Sequence, residues 1–181
     1  MSPTPDDART DVELVDAINR GESSAFDVLY WRHRDAVWRL AIRFTRHHDD
    51  ALDVVQETFA YLVRKFPQFT LTASLITFLY PAVRNYSIAA RRIRQRAVGG
   101  DAELHVIAEP ASSASDAEKD SLNERLASLS DAHREILLMR FVDGMTQPEI
   151  AAALDVPVGT VKSRLHHAIV AASAISGLAQ M

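Results

Sequence analysis

Between Thr160 and His167 the chain sets Thr160, Lys162, Ser163, Arg164 and His167 in a stretch without an acidic residue. Hydroxyls, an ammonium, a guanidinium and an imidazole at this density suit the base edges and phosphates of a DNA major groove. A second group, Asp53, Gln56 and Glu57, is spaced i, i+3, i+4, which on a helix gives a carboxylate-rich face for a basic partner or an ordinary solvated surface. A third, His47-His48-Asp49-Asp50, has the side chains of a metal site. Adjacent residues on a helix or turn do not converge on one ion, and this run lies where a helix needs its N-cap, so no metal is expected. Ser, His and Asp occur without the spacing of a nucleophile and its base, and there is no glycine-rich phosphate loop. Neither an enzymatic activity nor a cofactor is expected. The chain has no cysteine, which excludes a disulfide framework and a thiolate metal site.

The elements that carry these groups read as helices throughout. Thr146-Gln147-Pro148-Glu149 is a capping box with proline in the first turn, opening a short helix whose apolar face holds Ile150, Ala151 and Leu154. Asp155 ends it, because Asp tolerates the left-handed conformation that a turn between two helices needs. Pro157 fixes the entry to the next helix, where Val161, Leu165, Ala168 and Ile169 form a core stripe. This is a helix-turn-helix. With the stripe turned inward, Thr160, Ser163, Arg164 and His167 point out, and Lys162 and His166 lie on the flanks.

Upstream, Phe26, Leu29, Tyr30, His33, Val37, Leu40, Ala41 and Phe44 keep a helical period over about 22–46, with His33 as a hydrogen-bonded core histidine. Leu52, Val55, Phe59, Leu62 and Phe66 line a second helix, capped by Asp49 or Asp50 and terminated by Pro67. A third spans about 74–95 on Leu75, Phe78, Leu79, Ala82, Val83 and Tyr86. Pro81 lies inside it and should kink or restart it. No strand pattern competes. The expected class is all-α: two small helical domains joined by a flexible linker, the C-terminal one holding the helix-turn-helix.

Residues 97–120 lose the period and mix Gly-Gly, Ala, Ser and acids, the composition of a linker. At about 3.3 Å per residue it reaches up to ~80 Å, about 23 base pairs of duplex. The chain therefore divides into a tail and first short helix at 1–19, a domain at 20–96, the linker at 97–120, and a domain at 121–181 that opens on Leu122, Leu126 and Leu129. Charge follows the same partition. The net charge of −4 argues against coating nucleic acid through bulk charge, yet Arg84, Arg91, Arg92, Arg94 and Arg96 form one acid-free run and the recognition helix a second. Two basic segments separated by an acidic one suggest two nucleic-acid contacts. No apolar run is long enough for a membrane span and the polar start is no signal peptide, so no membrane insertion and a cytoplasmic location are expected.

LSDAHREILLMRFVDGMTQPEIAAALDVPVGTVKSRLHHA resembles the C-terminal promoter-reading domain of bacterial RNA polymerase sigma factors of the extracytoplasmic-function (ECF) group. SAFDVLYWRHRDAVWRLAIRFTRHHDDALDVVQETFAYLVRKF is similar to that family's domain for binding core polymerase and reading the −10 element. The resemblance implies that Asp53, Gln56 and Glu57 meet the polymerase's clamp helices. It implies that Arg84, Asn85, Arg91 and Arg92 hold the melted −10 strand, and that Thr160, Lys162, Ser163, Arg164 and His167 read the −35 element. Asn85 matches a typical family Asn, whereas Phe78 stands where the family often has Trp and Ala89 where it often has Asp. Core RNA polymerase, promoter DNA and an anti-sigma factor are the partners it implies, with the acidic linker lying in a basic nucleic-acid channel. Two other readings remain open: a stand-alone helix-turn-helix regulator, and a polymerase-binding adaptor without promoter reading.

Overall fold

A computed structural model of the chain describes residues 7–98 and 129–178, with side chains to Ser173. It divides near residue 101 into two compact units. Among the described residues all regular structure is helical, as the periodicity predicts. The linker beyond Val98, with Leu122 and Leu126, lies outside them.

The first unit holds α1 (Asp11–Asn19), α2 (Ser23–Thr45), α3 (His48–Val63) and α4 (Leu75–Val98). Helix α2 is its centre and packs on the other three. Its sequence period explains this: Leu29, Val37, Leu40, Ala41 and Phe44 are all buried. Leu14, Val15 and Ala17 of α1 close one side, Val54, Val55, Phe59 and Leu62 of α3 another, and Leu75, Leu79, Tyr80 and Val83 of α4 the third. Phe26 and Tyr30 sit half-buried at the rim, where both meet Phe59 edge-on. His33 also stays at the edge, half-buried, with Nε2 2.7 Å from Asp11 Oδ2. Its hydrogen bond is to a neighbouring helix rather than within a closed core.

The start of α3 differs from the expectation. The capping residue is His47, with no side-chain hydrogen bond to the helix, and Asp49 and Asp50 fall in the first turn. There their charge still favours the positive end of the helix dipole, but Asp50 is turned aside to pair with Arg94. The Arg94 guanidinium holds the Asp50 carboxyl below the ordinary carboxylate range. Helix α4 runs unbroken through Pro81, so the proline neither ends nor restarts it. It starts where the Ser74 hydroxyl accepts the Thr77 N–H at 3.2 Å, leaving Pro81 well inside, without an N–H for the carbonyl four residues back.

The second unit holds α5 (Asp131–Phe141), α6 (Gln147–Leu154) and α7 (Val158–Leu178). Ser130 caps α5 through the His133 N–H, and Leu129 is buried beneath it. Ile136, Met139, Ile150, Val161 and Ala168 form the centre of the core. Thr146 and Glu149 make the expected capping box, and Asp155 adopts φ 52°, ψ 50°, the left-handed turn the sequence asks for. Ile169 departs from its expected core position and is 45% exposed. Val161, Leu165 and Ala168, at i, i+4 and i+7, already fill the inward stripe, and a residue at i+8 is rotated about 80° away from it.

Candidate nucleic-acid and partner interfaces

Three surfaces carry the groups singled out in the sequence. On α3, Asp53, Gln56 and Glu57 are all exposed, and the structure sorts them. Asp53 and Glu57 stand one turn apart on the rim of a cleft of about 480 Å³ between α3 and α4, whereas Gln56 does not line it. Val54 forms part of the floor, and Tyr86, Ala89 and Ile93 line the α4 side. Ile93 is 67% exposed, so the acidic rim borders an open apolar surface. The cleft was missed in the sequence, although Ala89, Ile93 and Ala97, small or apolar at intervals of four among arginines, are its trace.

On α4 the four predicted residues separate into two pairs. Asn85 and Arg92 are exposed, seven residues apart and therefore on one face, which Ala89 and Arg96, both also exposed, continue. Arg84 is half-buried and Arg91, seven further on, is only 7% exposed. These two lie about 100° round the helix from the exposed stripe. The structure thus brings Asn85, Arg92 and Arg96 together as a polar, cationic edge and turns Arg91 into the unit.

On α7, Lys162, Ser163, His166 and His167 are exposed, while Thr160 and Arg164 are half-buried. His166, a flanking residue in the sequence reading, belongs to the open face, its ring centroid 5.8 Å from that of His167. Val161, Leu165 and Ala168 lock the opposite side into the core. The geometry is that of a helix-turn-helix whose second helix offers a cationic, hydroxyl-bearing face, the shape that enters a major groove. Gly159 leaves the start of α7 open, since a Cβ there would meet nothing within 4 Å.

Among the described residues no three metal-binding side chains converge, and no helix is long and apolar enough to cross a membrane. In the His47–Asp50 run, His47 Nδ1 faces the Arg94 guanidinium at 2.9 Å, and His48 and Asp49 are exposed.

Residues 29–97 match the family model for sigma-70 region 2, and residues 119–171 the model for sigma-70, region 4. The chain is 32% identical to the ECF RNA polymerase sigma-E factor of Escherichia coli K12 over 173 residues, covering 88% of this chain and 90% of that protein. It is 28% identical to the RNA polymerase sigma-H factor of Pseudomonas aeruginosa, covering 87% and 89%. Among solved structures it is similar to the sigma factor RpoE of Bartonella quintana in complex with the anti-sigma factor NepR, with a TM-score of 0.65 and 26% identity over 84% of this chain and 96% of that one. It is also similar to CnrH in complex with the cytosolic domain of CnrY, with a TM-score of 0.68 and 26% identity over 93% and 97%.

Proposed function

The chain belongs to the ECF group of the sigma-70 family of RNA polymerase sigma factors, and from that premise we propose how its surfaces share the work of initiation. Its function is to direct core RNA polymerase to promoters and begin transcription there. The observation that carries the division of labour is the contrast between neighbouring helices of the first unit: acids on the exposed face of α3, cations on the exposed edge of α4. An acidic face repels DNA and attracts a basic protein surface, so Asp53, Gln56 and Glu57 take core polymerase. The Asn85, Arg92 and Arg96 edge, with Arg84 beside it, takes the −10 strand, where arginines hold phosphates and Asn85 reads a base. Buried Arg91 shapes that edge from within.

In the second unit α7 takes the −35 element. Lys162, Ser163 and His167 are directed at phosphates and base edges, and half-buried Thr160 and Arg164 border the contact. In this reading the chain works in the cytoplasm and catalyses nothing itself. An anti-sigma factor is a further partner, a proposal that the RpoE–NepR likeness supports.

The test is a binding comparison with duplex fragments of genomic DNA. The chain alone should hold none specifically, and with core polymerase it should select a subset. A stand-alone regulator would select DNA without core, and an adaptor would bind core and select none.

A further inference from the structure

Arg94 lies in the basic run of α4, between Arg92 and Arg96, yet its guanidinium is committed elsewhere. Nε donates to Asp50 Oδ2 at 2.5 Å and Nη2 to Asp50 Oδ1 at 2.7 Å, a two-pronged pair, and Nη2 also reaches His47 Nδ1 at 2.9 Å. The pair joins residues 44 positions apart and ties the end of α4 to the start of α3. Asp50 is 15% exposed and Arg94 40%.

Packing does little of this work. From residue 92 to residue 97 no side chain of α4 is fully buried and only Arg94 and Gln95 are half-buried, so apolar contact holds the last turns weakly. A planar fork gripping both oxygens of one carboxylate resists rotation as well as separation.

We propose that Arg94 is a positioning residue for −10 reading. It holds the Asn85, Arg92 and Arg96 edge at a fixed angle to the α3 face, so that docking of polymerase on α3 dictates where that edge meets DNA. This rests on the assignment of α3 to polymerase and α4 to DNA. The rival role for Arg94 is a plain phosphate contact, and Asp50 separates the two by sign. If Arg94 touches phosphate, removing Asp50 frees a cation and takes away an anion, and DNA binding tightens. If Arg94 positions α4, removing Asp50 loosens the helix and DNA binding weakens.

The experiment uses the full chain with saturating core polymerase and, as probe, a labelled duplex fragment selected by the wild-type holoenzyme from genomic DNA. Arg94→Ala, Arg94→Lys and Asp50→Ala should each weaken fragment binding on the order of tenfold, and the Asp50→Ala, Arg94→Ala double variant should be no weaker than either single one. Affinity of the Arg94 variants for core should stay within about twofold of wild type. Tighter binding by Asp50→Ala, or wild-type binding by Arg94→Lys, makes Arg94 a direct contact and overturns the proposal. An Arg94→Ala variant that loses core affinity in step with DNA affinity, or one that changes neither, also overturns it. A wild-type holoenzyme that selects no fragment defeats the α3 and α4 assignment itself, whatever the Arg94 variants do.

Discussion

The Thr146 hydroxyl accepts the Glu149 N–H at 3.4 Å while the Glu149 carboxylate accepts the Thr146 N–H at 2.8 Å. This reciprocal cap starts the helix against which the recognition helix is set. Thr146→Ala should cost the second unit about 1 kcal/mol, and Thr146→Ser much less. Amide exchange of α6 in the full chain measures it; equal protection in wild type and Thr146→Ala would refute the cap's role.

At the other end of α6, Asp155 holds a left-handed conformation that favours glycine. Asp155→Gly should stabilise the second unit by up to about 1 kcal/mol, and Asp155→Val should destabilise it by more. Thermal unfolding followed by amide exchange would show both signs.

Asp11 bridges α1 and α2 through Arg32 at 2.8 Å and His33 at 2.7 Å. Partial burial raises its carboxyl, but the hydrogen bonds from His33 and Arg32 outweigh that and leave it below the ordinary value near 3.8. A lowered carboxyl stabilises the fold above its unfolded value and loses that contribution as pH falls through the folded one. The advantage of wild type over Asp11→Asn should therefore be full near neutral pH and fade below about pH 4. Both tryptophans, Trp31 and Trp38, lie in the first unit, so their fluorescence reports this unfolding alone. A difference that stays constant down to pH 2 would sink the assignment.

How much of this was legible in the sequence follows from how local each feature is. The Thr146 cap, the Asp155 turn and the Val161, Leu165, Ala168 stripe are decided within a few residues, and each appears where the pattern puts it, Ile169 alone leaving the expected stripe for the surface. The arginines of α4 looked alike because their fates depend on partners far along the chain. Arg94 is claimed by Asp50 across 44 positions, and Arg91 is turned inward where α4 packs in the unit. Their spacing held part of the answer, since residues seven apart share a face and Asn85 aligns with Arg92 rather than with Arg91. The cap of α3, expected at Asp49 or Asp50, falls instead at His47: the helix begins at His48, which puts both acids in the first turn, and Asp50 is held there by Arg94.

The two arginines next to one another on α4 should respond in opposite ways. Arg92→Ala should weaken promoter binding by the holoenzyme and leave first-unit stability unchanged. Arg91→Ala, removing a buried side chain, should lower that stability by roughly 1–3 kcal/mol. Tryptophan-monitored denaturation beside promoter binding separates them; matching phenotypes would contradict the two-face description of α4.

Lys162 is exposed on the open face of α7. Lys162→Ala should weaken holoenzyme binding about equally across promoter sequences and lower the salt dependence by about one counterion. An unchanged salt slope would remove Lys162 from the phosphate contacts.

The central claim is that this chain directs core polymerase through an acidic α3 face and two separate DNA-reading faces. Run-off transcription from genomic fragments, with purified core and the full chain, tests it most directly. The account predicts transcripts that need both components, begin at defined sites, and disappear with Asp53→Lys, Glu57→Lys on α3. Transcripts that persist at wild-type yield with that double variant, or no transcripts from the wild-type chain with core, would contradict it.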